Sequence, residues 1–364
     1  MKKIGILFGG KSAEHEISLL SAKNIFDAID RSKFEPVLIG IDKSGRWILN
    51  DAQFLLNADN PALVKLNPDG KPVALRPYNG SNTLFAEREN KETVNVRLDA
   101  VFPILHGPFG EDGTIQGFLK LAEVPFVGPG VLGSAVGMDK DVMKRLMRDA
   151  QIPIGKFLVL KSHENALSFS EIASALGSPF FIKPANMGSS VGISKVNNEA
   201  ELNAALKDAF LYDTKIIIEE NICGREIECA VLGNEEPVAS VPGEVITNHE
   251  FYSYDAKYLD EKGASLEIPA KLNEQTKIRV QELAVKVFKT LCCEGLSRVD
   301  FFLKENGELI VNEINTMPGF TRISMYPKMW EASGISYTDL ITRLIELAIN
   351  RFEKEKILKT SVSI

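Results

Sequence analysis

Long apolar runs are missing from this sequence of 364 residues. It contains no stretch of about 18 apolar residues, the length that a membrane-spanning helix needs. The first apolar stretch, after Lys2 and Lys3, is short, whereas the hydrophobic region of a secretory leader is longer. We therefore expect a cytoplasmic protein that neither crosses nor binds a membrane.

Cysteines are few, and basic residues form no long run. The four cysteines, Cys223, Cys229, Cys292 and Cys293, lack the spacing of a zinc site, and we expect them to be reduced and mostly buried. The net charge is −7. Together with the absence of a basic run, this charge argues against a nucleic-acid-binding surface.

The chain is too long for one hydrophobic core and predicts two or three domains. Strand, helix and strand follow each other in the first 130 residues, which predicts an α/β domain with a doubly wound parallel sheet. Gly128-Pro129-Gly130 marks its end. We expect a central domain over 131–219 and a C-terminal domain over 220–364, both α+β in character.

Hydrophobic periodicity predicts most of the elements. Strands are expected at 4–8, 35–42, 98–105, 156–160, 180–183, 191–196, 215–219, 226–232, 238–244, 297–303 and 308–314. Helices are expected around 22–29, 142–150, 169–177, 199–210 and 275–291, and a last helix begins at a capping box of Ser336 and Asp339. The stretch 51–97 reads as irregular with one hairpin, and the tail after about 353 is expected to fray.

One apparent nucleotide motif can be rejected. Residues 5–12 match the Walker A expression, GxxxxGKS. A phosphate-binding P-loop needs a strand before its first glycine, but only four residues precede Gly5. Ile6, Leu7 and Phe8 are typical of the strand itself. We interpret the match as accidental.

Polar residues alternate along two predicted neighbouring strands of the third domain. Arg298 and Asp300 share one face of their strand, and Glu313 and Asn315 share one face of theirs. Two carboxylates and an amide oxygen are hard ligands that suit Mg²⁺. The alternative is an ordinary solvated face, but asparagine is depleted in strands, which favours a metal site at Asp300, Glu313 and Asn315.

A small hydroxyl-rich loop follows Lys183. Its residues 184–192 include Ser189 and Ser190, and backbone N–H groups in such loops bind phosphate oxygens. A flexible turn is the alternative interpretation. Lys140, at the start of the central domain, is a second candidate for the same phosphates; the alternative is an ordinary solvated lysine.

A nucleoside site is indicated at the junction of the second and third domains. Glu219 and Glu226 carry carboxylates suited to an amino group or ribose hydroxyls, and the N–H of Ile222 suits a ring nitrogen. Two further residues, Glu14 and His106, follow strands of the first domain at the edge where α/β sheets bind ligands. Glu14 suits a substrate ammonium; His106 is either structural or catalytic.

Six segments make the sequence similar to the D-alanine:D-alanine ligase family of the ATP-grasp superfamily, in its long-chain form. They are FGGKSAEHEIS at 8–18, HGPFGEDGTIQG at 106–117, FIKPANMGSSVGISKV at 181–196, EENICGREIECAVLG at 219–233, FYSYDAKY at 251–258 and NEINTMPGFTRISMYP at 312–327. The resemblance implies an ATP-grasp fold. It also implies ATP-dependent formation of D-alanyl-D-alanine through a D-alanyl phosphate, for peptidoglycan precursors.

The resemblance also implies residue roles. Glu14 would anchor the first D-alanine and form a triad with Ser189 and Tyr258 that ties down a lid around 246–264. Arg298 and the N–H of Gly319 would stabilise the oxyanion. The remaining roles are a clamp for the second D-alanine at Lys257 and Ser324, phosphate contacts at Lys140, Lys183 and Ser190, a nucleoside pocket at Glu219, Ile222 and Glu226, and two Mg²⁺ or Mn²⁺ ions at Asp300, Glu313 and Asn315.

His106 would lie near the reacting groups, and the family pattern suggests a homodimer. Three alternatives stay open. The first is a D-alanine:D-lactate or D-alanine:D-serine ligase of the same fold, although the intact tyrosine pattern at 251–258 favours an amine acceptor. The second is another carboxylate-amine ligase. The third is an ATP sensor without chemistry, which the complete set of polar site residues argues against.

Overall fold

The computed structural model describes residues 1–53, 66–75, 83–87, 93–247 and 264–359. Its first sheet consists of β1 (Lys2–Gly9), β2 (Phe34–Ile41), β3 (Trp47–Leu49), β4 (Lys71–Leu75), β5 (Thr83–Glu87), β6 (Thr93–Arg97) and β7 (Ala100–Ile104). Their order is β6-β5-β4-β3-β2-β1-β7. β1 pairs in parallel with β2 and β7, and the remaining strands extend the sheet antiparallel.

Helices cover both faces of the parallel strands. Ile4 and Ile6 of β1 pack against helix α1 (His15–Ala28), whereas Leu7 points to the other face and packs near helix α2 (Thr114–Leu121). Alternating side chains of one buried strand thus serve two cores, as expected when both faces are covered. This arrangement confirms the predicted doubly wound domain.

Of two predictions for the first unit, one is wrong in part and one is confirmed. The described parts of 51–97 are more regular than expected, because β4, β5 and β6 form an antiparallel meander rather than one hairpin. The rejection of a P-loop is confirmed, because Gly5 lies inside β1 and pairs with Val37 and Val101.

The second sheet is a four-stranded antiparallel layer with the order β10-β9-β11-β8. Its strands are β8 (Phe157–Lys161), β9 (Phe180–Pro184), β10 (Ser194–Val196) and β11 (Lys215–Glu220). The helices of this region are α3 (Val131–Met138), α4 (Lys140–Asp149), α5 (Phe169–Leu176) and α6 (Glu199–Ala209). Side chains between Leu158 and Ile218 form a hydrophobic cluster of their own, which makes this layer a separate packing unit.

The third sheet is antiparallel and has helices on both faces. Its strands are β12 (Arg225–Gly233), β13 (Val238–Ala239), β14 (Gly243–Thr247), β15 (Ala264–Glu267), β16 (Gly295–Leu303) and β17 (Leu309–Asn315). Helix α7 (Glu274–Thr290) covers one face, and helices α8 (Met325–Ala332) and α9 (Tyr337–Lys356) cover the other. The predicted strand at 238–244 is two strands, β13 and β14.

The first and third units share one hydrophobic cluster. Phe102 of β7 lies edge-on to Phe320, with ring centroids 5.5 Å apart. The same cluster contains Leu232, Tyr326 and Leu344. Arg351 of α9 donates hydrogen bonds to Phe126 O and Gly128 O at 2.9 and 2.7 Å. The two units therefore pack as one body. The division at 130 and 219 stays a prediction.

Sequence patterns missed helices α2, α3 and α8. The segment VLGSAVGM of α3 carries two glycines, which weaken helix propensity by about 1 kcal/mol each. Packing explains Gly133, since a Cβ there would lie 2.5 Å from the carbonyl oxygen of Cys292. Tertiary contact thus overrides local propensity.

The structure also tests the predictions for the last helix, the cysteines and membrane spans. The oxygen of Ser336 caps α9 by accepting a hydrogen bond from Asp339 N at 3.1 Å, as predicted, but the helix continues to Lys356 rather than fraying after 353. All four cysteines are free; two are buried, Cys229 and Cys293, and two are exposed, Cys223 and Cys292. The prediction that most of the cysteines are buried is therefore wrong for two of the four. Within the described residues, no helix has the length and apolar character of a membrane span.

Candidate active site

A cavity of about 200 Å³ opens between the second and third sheets. Its walls are strands β9, β11, β12, β16 and β17, the loop after β9, and helix α4. The lining residues include Lys140, Lys144, Lys183, Ser189, Ser190, Glu219, Ile222, Glu226, Glu228, Arg298, Asp300 and Glu313. Most of the polar residues that the sequence predicts for an ATP and metal site thus line one cavity.

The predicted metal residues lie side by side. In the pairing of β16 with β17, Asp300 is opposite Glu313, and Arg298 is opposite Asn315. The amide of Asn315 donates to Asp300 Oδ2 at 2.9 Å. In the described part of the chain, no three His, Cys, Asp or Glu side chains form a metal cluster. The predicted metal site, Asp300, Glu313 and Asn315, is not a cluster of that kind, because one of its three ligands is an amide oxygen.

Arg298 is held between two carboxylates. Its Nε and Nη2 donate to the two oxygens of Asp300, both at 2.7 Å, in a bidentate pair. Its Nε also lies 2.9 Å from Glu228 Oε2. Burial alone would lower the pKa of Arg298, but the charges of Asp300 and Glu228 raise it well above its usual value. The guanidinium is therefore a fixed, fully charged group.

Lysines surround Glu219 at the other end of the cavity. Lys183 Nζ lies 2.5 Å from Glu219 Oε2, and Lys144 Nζ lies 2.8 Å from Oε1. Burial alone would raise the pKa of Glu219, but the two lysine charges lower it to about 2. Half-buried Ile222 and Glu226 complete this end of the cavity.

The hydroxyl-rich loop after β9 lies over the cavity. Ser189 and Ser190 both adopt positive φ, at 49° and 60°, a left-handed conformation that is uncommon for residues other than glycine. Lys140 Nζ donates to Met187 O at 2.7 Å and lies 3.6 Å from Glu313 Oε2. Lys140 therefore connects the loop to Glu313, one of the predicted metal ligands.

Glu14 joins the first unit to this loop. The hydroxyl of Ser189 donates a hydrogen bond to Glu14 Oε1. Glu14 is the N-cap residue of α1 and is buried. Gly107 adopts φ +74°, and a Cβ there would lie 2.8 Å from Glu14 Oε2, so glycine leaves room for the carboxylate. Two residues of the predicted triad are thus in contact.

His106 reaches the segment that contains Gly319. Its Nδ1 is 3.1 Å from Met317 O, and its Nε2 is 3.3 Å from Ser21 Oγ. Ser21 Oγ also accepts a hydrogen bond from Phe320 N at 3.2 Å. With the proton assigned to Nδ1, that nitrogen donates to Met317 O and Nε2 accepts from the hydroxyl of Ser21, so both ring nitrogens are hydrogen-bonded. Burial lowers the pKa of His106, which favours the neutral ring. Ser21 was not predicted.

Glu111 is a second residue that sequence reasoning missed. It accepts hydrogen bonds from Gly107 N at 2.7 Å and from Met317 N at 3.1 Å. Burial, followed by the nearby Glu14 charge, raises its pKa to about 8. A signal was present, since Glu111 lies inside the motif HGPFGEDGTIQG.

The predicted clamp for a second substrate is only partly described. Ser324 accepts a hydrogen bond from Thr321 N at 2.9 Å, and a Cβ at Gly319 would lie 2.8 Å from its oxygen, so Ser324 and Gly319 are neighbours. Lys257, Tyr258 and the interior of the predicted lid lie outside the described residues. The flanking strands β14 and β15 pair with Thr247 opposite Ala264.

The fold and the site together define an ATP-grasp-type ligase architecture. Comparison with known proteins names the family. A family model described as the D-ala D-ala ligase N-terminus matches residues 3–129, and one described as the D-ala D-ala ligase C-terminus matches residues 146–346. The chain belongs to the D-alanine–D-alanine ligase family, and it is an enzyme.

Relatives match over nearly their whole length. The chain is 57% identical over 363 residues to the D-alanine–D-alanine ligase of Shouchella clausii, covering 99% of this chain and 98% of the relative. The solved D-alanine–D-alanine ligase of Coxiella burnetii is 39% identical with a TM-score of 0.86, covering 98% and 96% of the two chains. The VanG D-Ala:D-Ser ligase of Enterococcus faecalis is 38% identical with a TM-score of 0.84, covering 95% and 99%. The predicted fold class is confirmed.

Proposed function

We propose that the chain joins two molecules of D-alanine into D-alanyl-D-alanine with cleavage of ATP to ADP and phosphate. The observation that carries this proposal is the meeting of three elements in one cavity. Ser189, which is hydrogen-bonded to Glu14, the fixed guanidinium of Arg298 and the acidic pair Asp300–Glu313 line a space suited to a carboxylate and a triphosphate.

ATP occupies the cavity between the second and third sheets. Lys140, Lys183 and the loop hydroxyl of Ser190 bind the phosphates, since charged and backbone donors converge there. The nucleoside lies beyond Lys183, between Glu219, Ile222 and Glu226. Because Lys183 is paired with Glu219 before ATP arrives, phosphate binding would draw its charge towards the triphosphate.

Mg²⁺ or Mn²⁺ suits the oxygen-donor set of Asp300, Glu313 and Asn315. These residues lie on adjacent strands and are half-buried beside the proposed phosphate site, which fits the preference of Mg²⁺ for one or two carboxylates plus substrate phosphates. We propose two ions at this set. A bound ion supplies charge neutralisation for phosphoryl transfer.

Phosphoryl transfer activates the first substrate. Glu14 accepts hydrogen bonds from the ammonium of the first D-alanine, which orients its carboxylate into the cavity. A carboxylate oxygen attacks the γ-phosphorus of ATP, the bond to ADP breaks, and an acyl phosphate forms. A free carboxylate is a poor acyl donor, whereas phosphate is a good leaving group, so this step makes the next one feasible.

Amide formation completes the reaction. Lys257 and Ser324 hold the carboxylate of the second D-alanine. Its ammonium releases a proton to solvent, and the resulting amine attacks the acyl carbon. Arg298 and the N–H of Gly319 donate to the oxygen that becomes negative, and phosphate then leaves with the C–O electron pair. Both ring nitrogens of His106 are hydrogen-bonded, one to Met317 O and the other to Ser21. We therefore assign His106 to positioning the Gly319 segment rather than to proton transfer.

ADP release in the presence of Mg²⁺ tests the proposal, with the product identified by mass. D-alanine alone should give ADP and the dipeptide, whereas L-alanine should give neither. Competition with D-serine and D-lactate measures acceptor choice, which the likeness to a D-Ala:D-Ser ligase makes worth testing. Turnover that needs D-serine or D-lactate would keep the mechanism and overturn the acceptor. The homodimer and the cytoplasmic location stay predictions.

A further inference from the structure

Lys144 is a buried cation that the roles above do not use. It lies on α4 one turn after Lys140, so both side chains leave the same face of the helix. Its side chain is 3% exposed. Lysine is almost never buried to this extent without a partner. Its position therefore needs a reason beyond helix formation.

Lys144 has two partners, and both belong to the cavity wall. Its Nζ lies 2.8 Å from Glu219 Oε1 and donates to the carbonyl oxygen of Asn312 at 3.2 Å. Asn312 is on β17, next to Glu313, so Lys144 connects the third sheet to β11. The ammonium is thus fixed from two sides before any ligand binds.

Glu219 Oε1 retains a free acceptor site. Despite the ion pair with Lys144, this buried atom has no hydrogen bond of acceptable geometry among the described residues. Glu219 lines the cavity, so a ligand can approach it. A carboxylate oxygen has two lone pairs, so Oε1 can accept a hydrogen bond from a ligand while it stays paired with Lys144. The group that binds here should therefore carry an N–H or O–H.

Lys144 and Lys183 both pair with Glu219, but only Lys183 has a second proposed partner in the ligand. Lys183 is the proposed phosphate ligand, so its charge becomes shared with ATP. Lys144 has no such competing role and is the cation that stays with Glu219. An ionised carboxylate only accepts hydrogen bonds, whereas a protonated one also donates. The charge on Glu219 therefore decides whether it can bind a purine that donates a hydrogen bond at position 6 or one that accepts it there.

We propose that Lys144 is a positioning residue that holds Glu219 as an ionised acceptor and so makes the pocket select adenine over 6-oxopurines. Adenine presents a 6-amino donor to Oε1, whereas guanine and hypoxanthine present a 6-oxo acceptor that an ionised carboxylate repels. This inference rests on the proposed function, because it assumes that the base lies at Glu219.

Dissociation constants for ATP and inosine triphosphate, which carries a 6-oxo group, test the inference directly. In Lys144→Met, ATP binding should weaken by about 10–100-fold, the scale of one hydrogen bond to a charged group. Inosine triphosphate binding should stay the same or become tighter, because a protonated Glu219 can donate to its oxygen. Arg148→Met, which removes an exposed cation from the same helix, should change neither constant.

Other outcomes would overturn the inference. Equal weakening for both nucleotides would mean that Lys144 acts through general charge or structure, and no weakening would mean that it has no role in binding. Thermal unfolding checks that Lys144→Met is folded. If it is not, Glu219→Gln gives the second test: its amide can donate as well as accept, so the preference for ATP should fall with Lys144 in place. A preserved preference in Glu219→Gln would contradict the inference.

Failure of the inference can be distinguished from failure of the proposed function. ADP release by the unmodified enzyme with D-alanine depends on the proposed function and not on Lys144. Lys144→Met should also raise KM for ATP while leaving kcat at saturating ATP within a few-fold of the unmodified enzyme, because it touches no reacting atom. A loss of kcat without a change in KM would refute the positioning role.

Discussion

Glu111→Gln should change how the stability of the protein depends on pH. Burial and the nearby Glu14 raise the pKa of Glu111 from 4.5 to about 8. Between these values the folded protein keeps a proton that the unfolded chain has released, so stability is highest at low pH and falls as pH rises through this window. The difference, 8 − 4.5 = 3.5 units, corresponds to at most ~5 kcal/mol at ~1.4 kcal/mol per unit.

The glutamine variant cannot titrate, so it does not lose stability as the pH rises, but it loses a hydrogen bond. Its single side-chain oxygen can accept only one of the two hydrogen bonds from Gly107 N and Met317 N, which costs about 1–3 kcal/mol. At ~1.4 kcal/mol per pH unit, the unmodified protein loses the same 1–3 kcal/mol within about one to two units above pH 4.5, so the two free energies of unfolding should cross between about pH 5 and 7. Glu111→Gln should be less stable than the unmodified protein below this crossing and more stable near pH 8. His106 does not interfere above about pH 6.5, because its lowered pKa reduces stability only at more acidic pH.

Urea unfolding between about pH 6.5 and 8.5 measures this slope. Glu305→Gln, which changes an exposed glutamate, is the matched control and should follow the unmodified protein. Parallel curves for Glu111→Gln and the unmodified protein would refute the reasoning, because the carboxyl would then titrate equally in both states.

Three further predictions concern the reaction. Arg298→Ala should lower kcat by about 10²–10³ with little change in ATP affinity, as expected for loss of an oxyanion donor; unchanged turnover in steady-state kinetics would exclude this role. Ser21→Ala should lower kcat by about 10-fold, because Phe320 N and His106 lose their shared partner, and a rise in KM for ATP instead would argue against it. A chelator should abolish turnover, and Glu313→Gln should weaken Mn²⁺ binding in the presence of ADP; equal Mn²⁺ affinity would remove Glu313 from the ion site.

Local patterns predicted the strands that carry the site. Arg298 and Asp300 alternate with buried Val299 and Phe301, and this period of two placed the polar pair on one face. Neighbouring strands then brought Glu313 opposite Asp300. Alternation and strand order are enough for this part, because both are local properties of the chain.

Long-range hydrogen bonds were beyond local patterns. Ser21 meets Phe320 across 299 positions, and Glu111 meets Met317 across 206. Nothing in the periodicity around Ser21 distinguishes it from other buried helix residues, since its partners are set by the packing of α1 against the third unit. The burial of Lys144 was hidden for a similar reason, because a lysine on a helix is usually solvated.

The shared cluster between the first and third units limits how the gene can be recombined. A fragment ending at 130 would expose Phe102 and lose the cover that Phe320 and α9 provide. Arg351 would leave the carbonyl groups of Phe126 and Gly128 without their donor. A chimera that takes its first unit from a homologue must therefore take the last helices from the same parent, whereas the four-stranded layer from β8 to β11 has its own core and depends less on them.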